Sequence, residues 1–162
     1  MTHSPERMAI EMGLDIPDFD ATGYYGGGYG TMKPYHRIGS LLFLSGHVGQ
    51  CTDGTVLTGR LGETLTTEQG YAAARVCAQN LLGGIRQAAG SLDRVRGIVR
   101  TLNFVVCTPD YAEVHKVAAG LSDLLVEVFG PERGVGGRAT IGVMALAQGN
   151  CFETWATVEL EP

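Results

Sequence analysis

The sequence predicts an α+β domain: a mixed β-sheet with two helices on one face. Apolar residues recur at helical spacing twice, over residues 71–89 and over residues 114–128. Around these stretches lie extended runs, either alternating with a period of two or apolar throughout over a few residues. The order is strands, helix, strand, helix, strands. Connections of that length between strands favour right-handed crossovers, which set both helices on the same side.

Residues 1–33 read as a peripheral N-terminal extension, and residues 34–162 as the domain itself. Residues 8–14 suit one or two helical turns. Residues 23–30, Gly-Tyr-Tyr-Gly-Gly-Gly-Tyr-Gly, are not a phosphate loop, since they lack a Gly-Lys-Ser/Thr ending and a following helix. Their glycines free the backbone, and their tyrosines offer flat amphipathic contacts. The first reading is an arm packed on the body or on a neighbouring subunit. The second is a lid carrying Tyr24, Tyr25 or Tyr29 over a ligand.

Leu41-Leu-Phe-Leu-Ser45 is a buried strand that ends at Ser45-Gly46, with His47 in the turn beyond. Asp53-Gly54 signals a turn, and residues 55–58 a second short strand. Thr66-Thr-Glu-Gln69 has the spacing of a capping box, and Gly90 suits the other end of the first helix. Residues 95–107 form one long strand, apolar on both faces beyond its first third, and so inside the sheet. Thr108-Pro109 reads as the N-cap and first position of the second helix, which Gly130-Pro131 ends. After the flexible Gly134-Val-Gly-Gly137, Arg138 opens a strand. The last strand sets Phe152, Thr154, Ala156 and Val158 at a period of two, with Glu153 among them.

A chain of 162 residues, 44% hydrophobic and 18% charged, is one globular domain with a substantial core. Its net charge of −5 opposes a broad phosphate-binding surface, so no nucleic-acid partner is expected. Arg94, Arg96 and Arg100 read as the solvated end of a strand rather than an RNA site. The four cysteines lie far apart, with no C-x-x-C pair, which excludes a local zinc knuckle or thioredoxin motif. No histidine–carboxylate set has metal-ligand spacing. Nothing near residue 1 is long or apolar enough for a signal peptide or a membrane span. A cytoplasmic protein without a membrane partner is the expectation, its cysteines serving as small core or strand residues.

Several side chains are candidates for chemistry. Arg138 carries a planar fork suited to a carboxylate, or is a surface arginine at a strand start. Glu153 suits a general acid/base or a solvated cleft. Ser45 caps a strand end or touches a ligand, and His115, early on the second helix, is exposed or ligand-facing.

An apolar strand ending in Ser45-Gly46, an Arg-led strand, a short loop and a strand bearing Glu153, in that order, resemble the Rid family. This family, also called YjgF-type, comprises small enamine/imine deaminases. The resemblance spans residues 34–161. It implies a chorismate-mutase-like fold and a homotrimer with ligand clefts between subunits. It assigns the substrate carboxylate to Arg138, main-chain contacts to Thr140, and water orientation or proton relay to Glu153. Ser45 and Gly46 would line the cleft and Tyr35 close it. His115 ends Asp110-Tyr-Ala-Glu-Val-His115, where the family has Asn, and so joins the substrate-binding candidates; His47 stands where Gln is usual. Self-association is also the economical cover for the sheet face left without a helix, and the resemblance makes it a homotrimer.

The leading function is a cofactor-free hydrolytic deaminase of small enamine/imine carboxylates. Arginine fixes the carboxylate, and a carboxyl with main-chain groups positions water and moves protons. The alternatives are a specialised pathway enzyme using His47 or His115 as acid/base in the same cleft, and a non-catalytic trimeric module that binds a small metabolite.

Overall fold

A computed structural model describes residues 4–162; Met1 to His3 lie outside the described residues. In chain order the strands are β1 (Tyr35–Ile38), β2 (Leu41–Val48), β3 (Val95–Val106), β4 (Gly137–Val143) and β5 (Phe152–Leu160). The helices are α1 (Pro5–Glu11), α2 (Phe19–Thr22), α3 (Thr67–Ala89), α4 (Val114–Phe129) and α5 (Pro131–Gly134). The strands make one mixed sheet in the order β1-β2-β5-β3-β4. Every pairing is antiparallel except β3 with β4.

The two long helices lie on one face, each burying its apolar stripe against the sheet. Leu81, Leu82 and Ile85 of α3 and Leu121, Leu124 and Leu125 of α4 pack over Leu42, Leu44, Ile98, Val105, Phe152 and Val158 of the sheet. The predicted capping box is present, with Thr66 and Gln69 satisfying each other's backbone N–H. Gly90 closes α3 in the left-handed conformation, and Gly130-Pro131 stops α4.

Three local expectations change. The second long helix begins at Val114, not Pro109. The Tyr111 hydroxyl lies 2.8 Å from the Thr67 hydroxyl, and Thr67 donates to the Glu113 carboxylate at 2.9 Å, so contacts with the start of α3 hold residues 108–113 out of the helix. Residues 55–58 make only the isolated bridges Gln50–Val56 and Thr58–Asn150. The turn before them is tight, with Asp53 accepting from the Thr55 N–H at 2.8 Å. His47 is not in a turn but inside β2, which runs on to Val48.

The N-terminal segment packs on the domain. Ala9 of α1 and Phe19 of α2 are buried. The opposite sheet face carries Phe43, Leu102, Phe104 and Trp155 without a covering helix, and Trp155 stays 54% exposed. No helix of the described residues is long and apolar enough to cross a membrane. The four cysteines are free thiols.

Candidate active site

A bulge in β2 shapes the site. Leu44 pairs with Ala156 and His47 with Thr154, so three steps on β2 match two on β5. The backbone of Gly46 thereby lies against Glu153. A Cβ on Gly46 would collide with the Glu153 carboxylate and sit 2.9 Å from Trp155 Nε1, so only glycine fits. Glu153 is half-buried and accepts a hydrogen bond from Trp155 Nε1 at 3.1 Å. Burial pushes its carboxyl above the usual range, and the Trp155 bond opposes this in part.

The Tyr/Gly arm folds onto the same place. The Tyr24 hydroxyl donates to the Gly46 carbonyl. The Tyr25 hydroxyl accepts from the Val48 N–H at 3.1 Å, and Tyr29 donates to Gln148 Oε1 at 3.3 Å. Tyr25 meets Tyr24 edge-on at 4.7 Å, Tyr29 edge-on at 5.6 Å, and Phe19 at 5.1 Å. Burial raises the Tyr24 and Tyr25 phenols well above their ordinary value, so both stay protonated donors.

A cavity of about 1170 Å³ opens between these groups and the bare face of the sheet. Tyr24, Tyr29, Glu153 and Trp155 are among its walls, and so are Lys33, Arg100 and Arg138. Of the sequence candidates, Ser45, Gly46 and Tyr35 also border it. The Ser45 hydroxyl donates to the Lys33 carbonyl.

Arg138 and Glu153 are not neighbours within one chain. Arg138 is level with Thr101 of β3 and, beyond it, Ala156 of β5, both of which face the helices. Its guanidinium donates to the Ser122 hydroxyl of α4 at 3.0 Å. Glu153 is level with Phe104, on the bare face. Two strand spacings and three residues along the strand separate their backbones by roughly 14 Å. Thr140 turns to the helix side, where its hydroxyl accepts from Asn103 Nδ2 at 3.4 Å, and it does not border the cavity. His115 is exposed on α4, also away from the cavity.

The bulge turns His47 into the core, where it is fully buried. Its Nδ1 is 2.8 Å from the Ser45 carbonyl, which fixes the proton there. Nε2 has no hydrogen-bond partner among the described residues and faces Gly84, where a Cβ would clash with the ring. Burial lowers its pKa to about 4. A histidine held neutral in this way contributes its full stability above the unfolded value of 6.5, and loses it as pH falls towards 4. Between pH 7 and 4 the wild type should lose about 3 kcal/mol more stability than His47→Gln. Denaturant melts at the two pH values measure this; equal acid losses would mean that water already reaches the ring.

The sequence offers Tyr24 and Tyr29 as part of a packed arm or as a lid, and gives Trp155 no role. Its signal was parity: residues 153 and 155 share one face of a strand. Arg100 reads from sequence as a solvated strand residue, yet it borders the cavity. Among the described residues no group of three or more His, Cys, Asp or Glu could hold a metal ion.

A family model described as "YjgF/chorismate mutase-like, putative endoribonuclease" matches residues 6–152. The chain belongs to the YjgF family. Protein TCP17 of Trypanosoma cruzi, a curated relative, is 41% identical over 126 residues, 78% of this chain and 79% of that protein. A Shewanella oneidensis structure with the same endoribonuclease description is 30% identical, with a TM-score of 0.88 over 98% of this chain and 100% of that one. E. coli TdcF, solved with bound serine, is 17% identical with a TM-score of 0.60 over 82% and 91% of the two chains, a likeness of fold alone. The YjgF match begins at residue 6 and so takes in the segment that carries the tyrosine arm.

Proposed function

We propose that this YjgF-family protein is a cofactor-free hydrolytic deaminase of small enamine/imine carboxylates. Glu153 carries the reading: a half-buried carboxyl with a raised pKa, in a cavity that Lys33, Arg100 and Arg138 also border. A carboxyl tuned towards neutral pH accepts and returns protons more effectively than an ordinary one. The enamine first tautomerises to the imine. Glu153 takes a proton from water as its oxygen bonds to the imine carbon. That proton passes to nitrogen, giving the carbinolamine; Glu153 then takes the hydroxyl proton and returns it to nitrogen as the C–N bond breaks, and ammonia and a keto acid leave.

The substrate carboxylate suits Arg138, whose fork makes two-point contacts. That arginine faces away from Glu153 of its own chain, so a small ligand spanning both residues needs Arg138 of a neighbouring copy. A homotrimer with clefts between subunits supplies one, and the bare apolar face provides the contact. Light scattering at micromolar concentration should therefore give three times the chain mass; a monomer would remove the basis for the shared site. Neither His47 nor His115 borders the cavity, which leaves the histidine-based alternative without support. A net charge of −5 also disfavours RNA as substrate.

The deciding experiment is a coupled assay of ammonia and keto-acid release from freshly generated amino-acid imines, measured above their spontaneous hydrolysis. Carboxylate binding without turnover would leave a metabolite-binding module instead.

A further inference from the structure

We propose that the tyrosine arm is the side-chain subsite of this cavity, and that the enzyme acts on imines of aromatic or other bulky apolar amino acids. The inference rests on the deaminase reading of the same cavity.

An amino-acid imine presents three substituents at the reacting carbon: the carboxylate, the nitrogen and the side chain. With the carboxylate on an arginine and the nitrogen and water at Glu153, the side chain meets the remaining wall beside Glu153. Tyr24, Tyr29 and Trp155 border the cavity beside Glu153, and Met32 belongs to the same lining. The polar ends of the two tyrosines are already engaged, Tyr24 on the Gly46 carbonyl and Tyr29 on Gln148, so their rings are what they offer a ligand. A serine-like hydroxyl would lose its hydration on this wall and gain little in exchange. A basic side chain would meet Lys33 and Arg100, neither of which forms an ion pair among the described residues. An aromatic or branched apolar group gains ring contacts and burial.

The wall is also held in place before a ligand arrives. Phe19 is buried, and Phe19, Tyr24 and Tyr29 each pack on the ring of Tyr25. Tyr25 and Gln148, with φ of 48° and 56°, are the two non-glycine residues in the left-handed region among the described residues. Both belong to this clasp: Tyr25 packs on Tyr29, and Tyr29 bonds to Gln148. Such backbone persists where the surroundings over-determine it, and it clusters at ligand clamps.

The test compares kcat/KM for imines generated in situ by an amino-acid oxidase from phenylalanine, leucine, alanine and serine. The phenylalanine imine should exceed the alanine imine by at least about tenfold, the scale of discrimination by an apolar pocket. In Tyr29→Ala, and separately in Met32→Ala, that ratio should fall several-fold. A purely structural role would lower both rates together and leave the ratio fixed. Alanine or serine imines used as well as phenylalanine's, or a ratio unchanged in both variants, would overturn the subsite while leaving the deaminase intact. No turnover of any of the four would defeat the deaminase reading and the subsite with it.

Discussion

Glu153→Gln should lower kcat by about a hundredfold or more, the usual scale for losing a general acid/base, and should raise the thermal midpoint at pH 7. Both effects have one cause. The carboxyl is half-buried beside Tyr24, Tyr29 and Trp155, and burial raises its pKa. A carboxyl whose folded pKa lies above its unfolded value favours folding only while protonated. That contribution is present below the unfolded pKa and is lost as pH rises through the folded one. At pH 7 the native protein therefore holds a charge that burial disfavours. Glutamine has nearly the same shape, can still accept from Trp155 Nε1, and carries no charge. The gain in midpoint should shrink as the pH is lowered towards the ordinary carboxyl range, where the wild-type residue is neutral as well. The acid limb of kcat/KM should lie above the usual glutamate range in the wild type and vanish in the variant. Thermal melts at pH 7 and 4, with a pH–rate profile, check each part. A variant that keeps its activity would show that Glu153 only lines the cavity.

The fold was largely legible because two periodicities and three end signals agree. Helix α3 was announced by its apolar spacing, Thr66-Thr-Glu-Gln69 and Gly90, all of which act locally. The start of α4 was not, because Thr108-Pro109 is a sound local signal that Tyr111 and Glu113 override by bonding to Thr67, more than forty residues away. The site was legible as residue types and illegible as geometry. Strict alternation from Leu42 and Leu44 would turn Gly46 inward and His47 outward; the bulge reverses them, and nothing in Ser45-Gly46-His47 fixes its register. Arg138 and Glu153 both lie on strands near the end of the chain. Which sheet face each takes depends on pairing with β3, a long-range fact. The same holds for the arm, whose tyrosines stand out in the sequence while their seat on Gly46, Val48 and Gln148 does not.

Arg138→Lys should weaken carboxylate binding by roughly ten- to a hundredfold despite the conserved charge. Lysine cannot reproduce the two-point fork, and one charge-assisted hydrogen bond contributes about 1.5–3 kcal/mol. Arg138→Ala should lose more. Neither change should unfold the chain, because the arginine is exposed and its one recorded partner is the Ser122 hydroxyl at 3.0 Å. An Arg138→Ala protein that dissociates, with no carboxylate ever bound to the wild type, would make Arg138 an interface residue instead. The sharper consequence follows from the two sheet faces. If each site takes Arg138 from one copy and Glu153 from the next, then Arg138→Ala and Glu153→Gln damage different halves of it. Unfolding and refolding an equal mixture of the two inactive variants should restore about a quarter of wild-type activity, because about one cleft in four then pairs an intact arginine with an intact glutamate. Refolding each variant alone should restore none. If one chain supplied both residues, every cleft in the mixture would carry one lesion and the mixture would stay inactive.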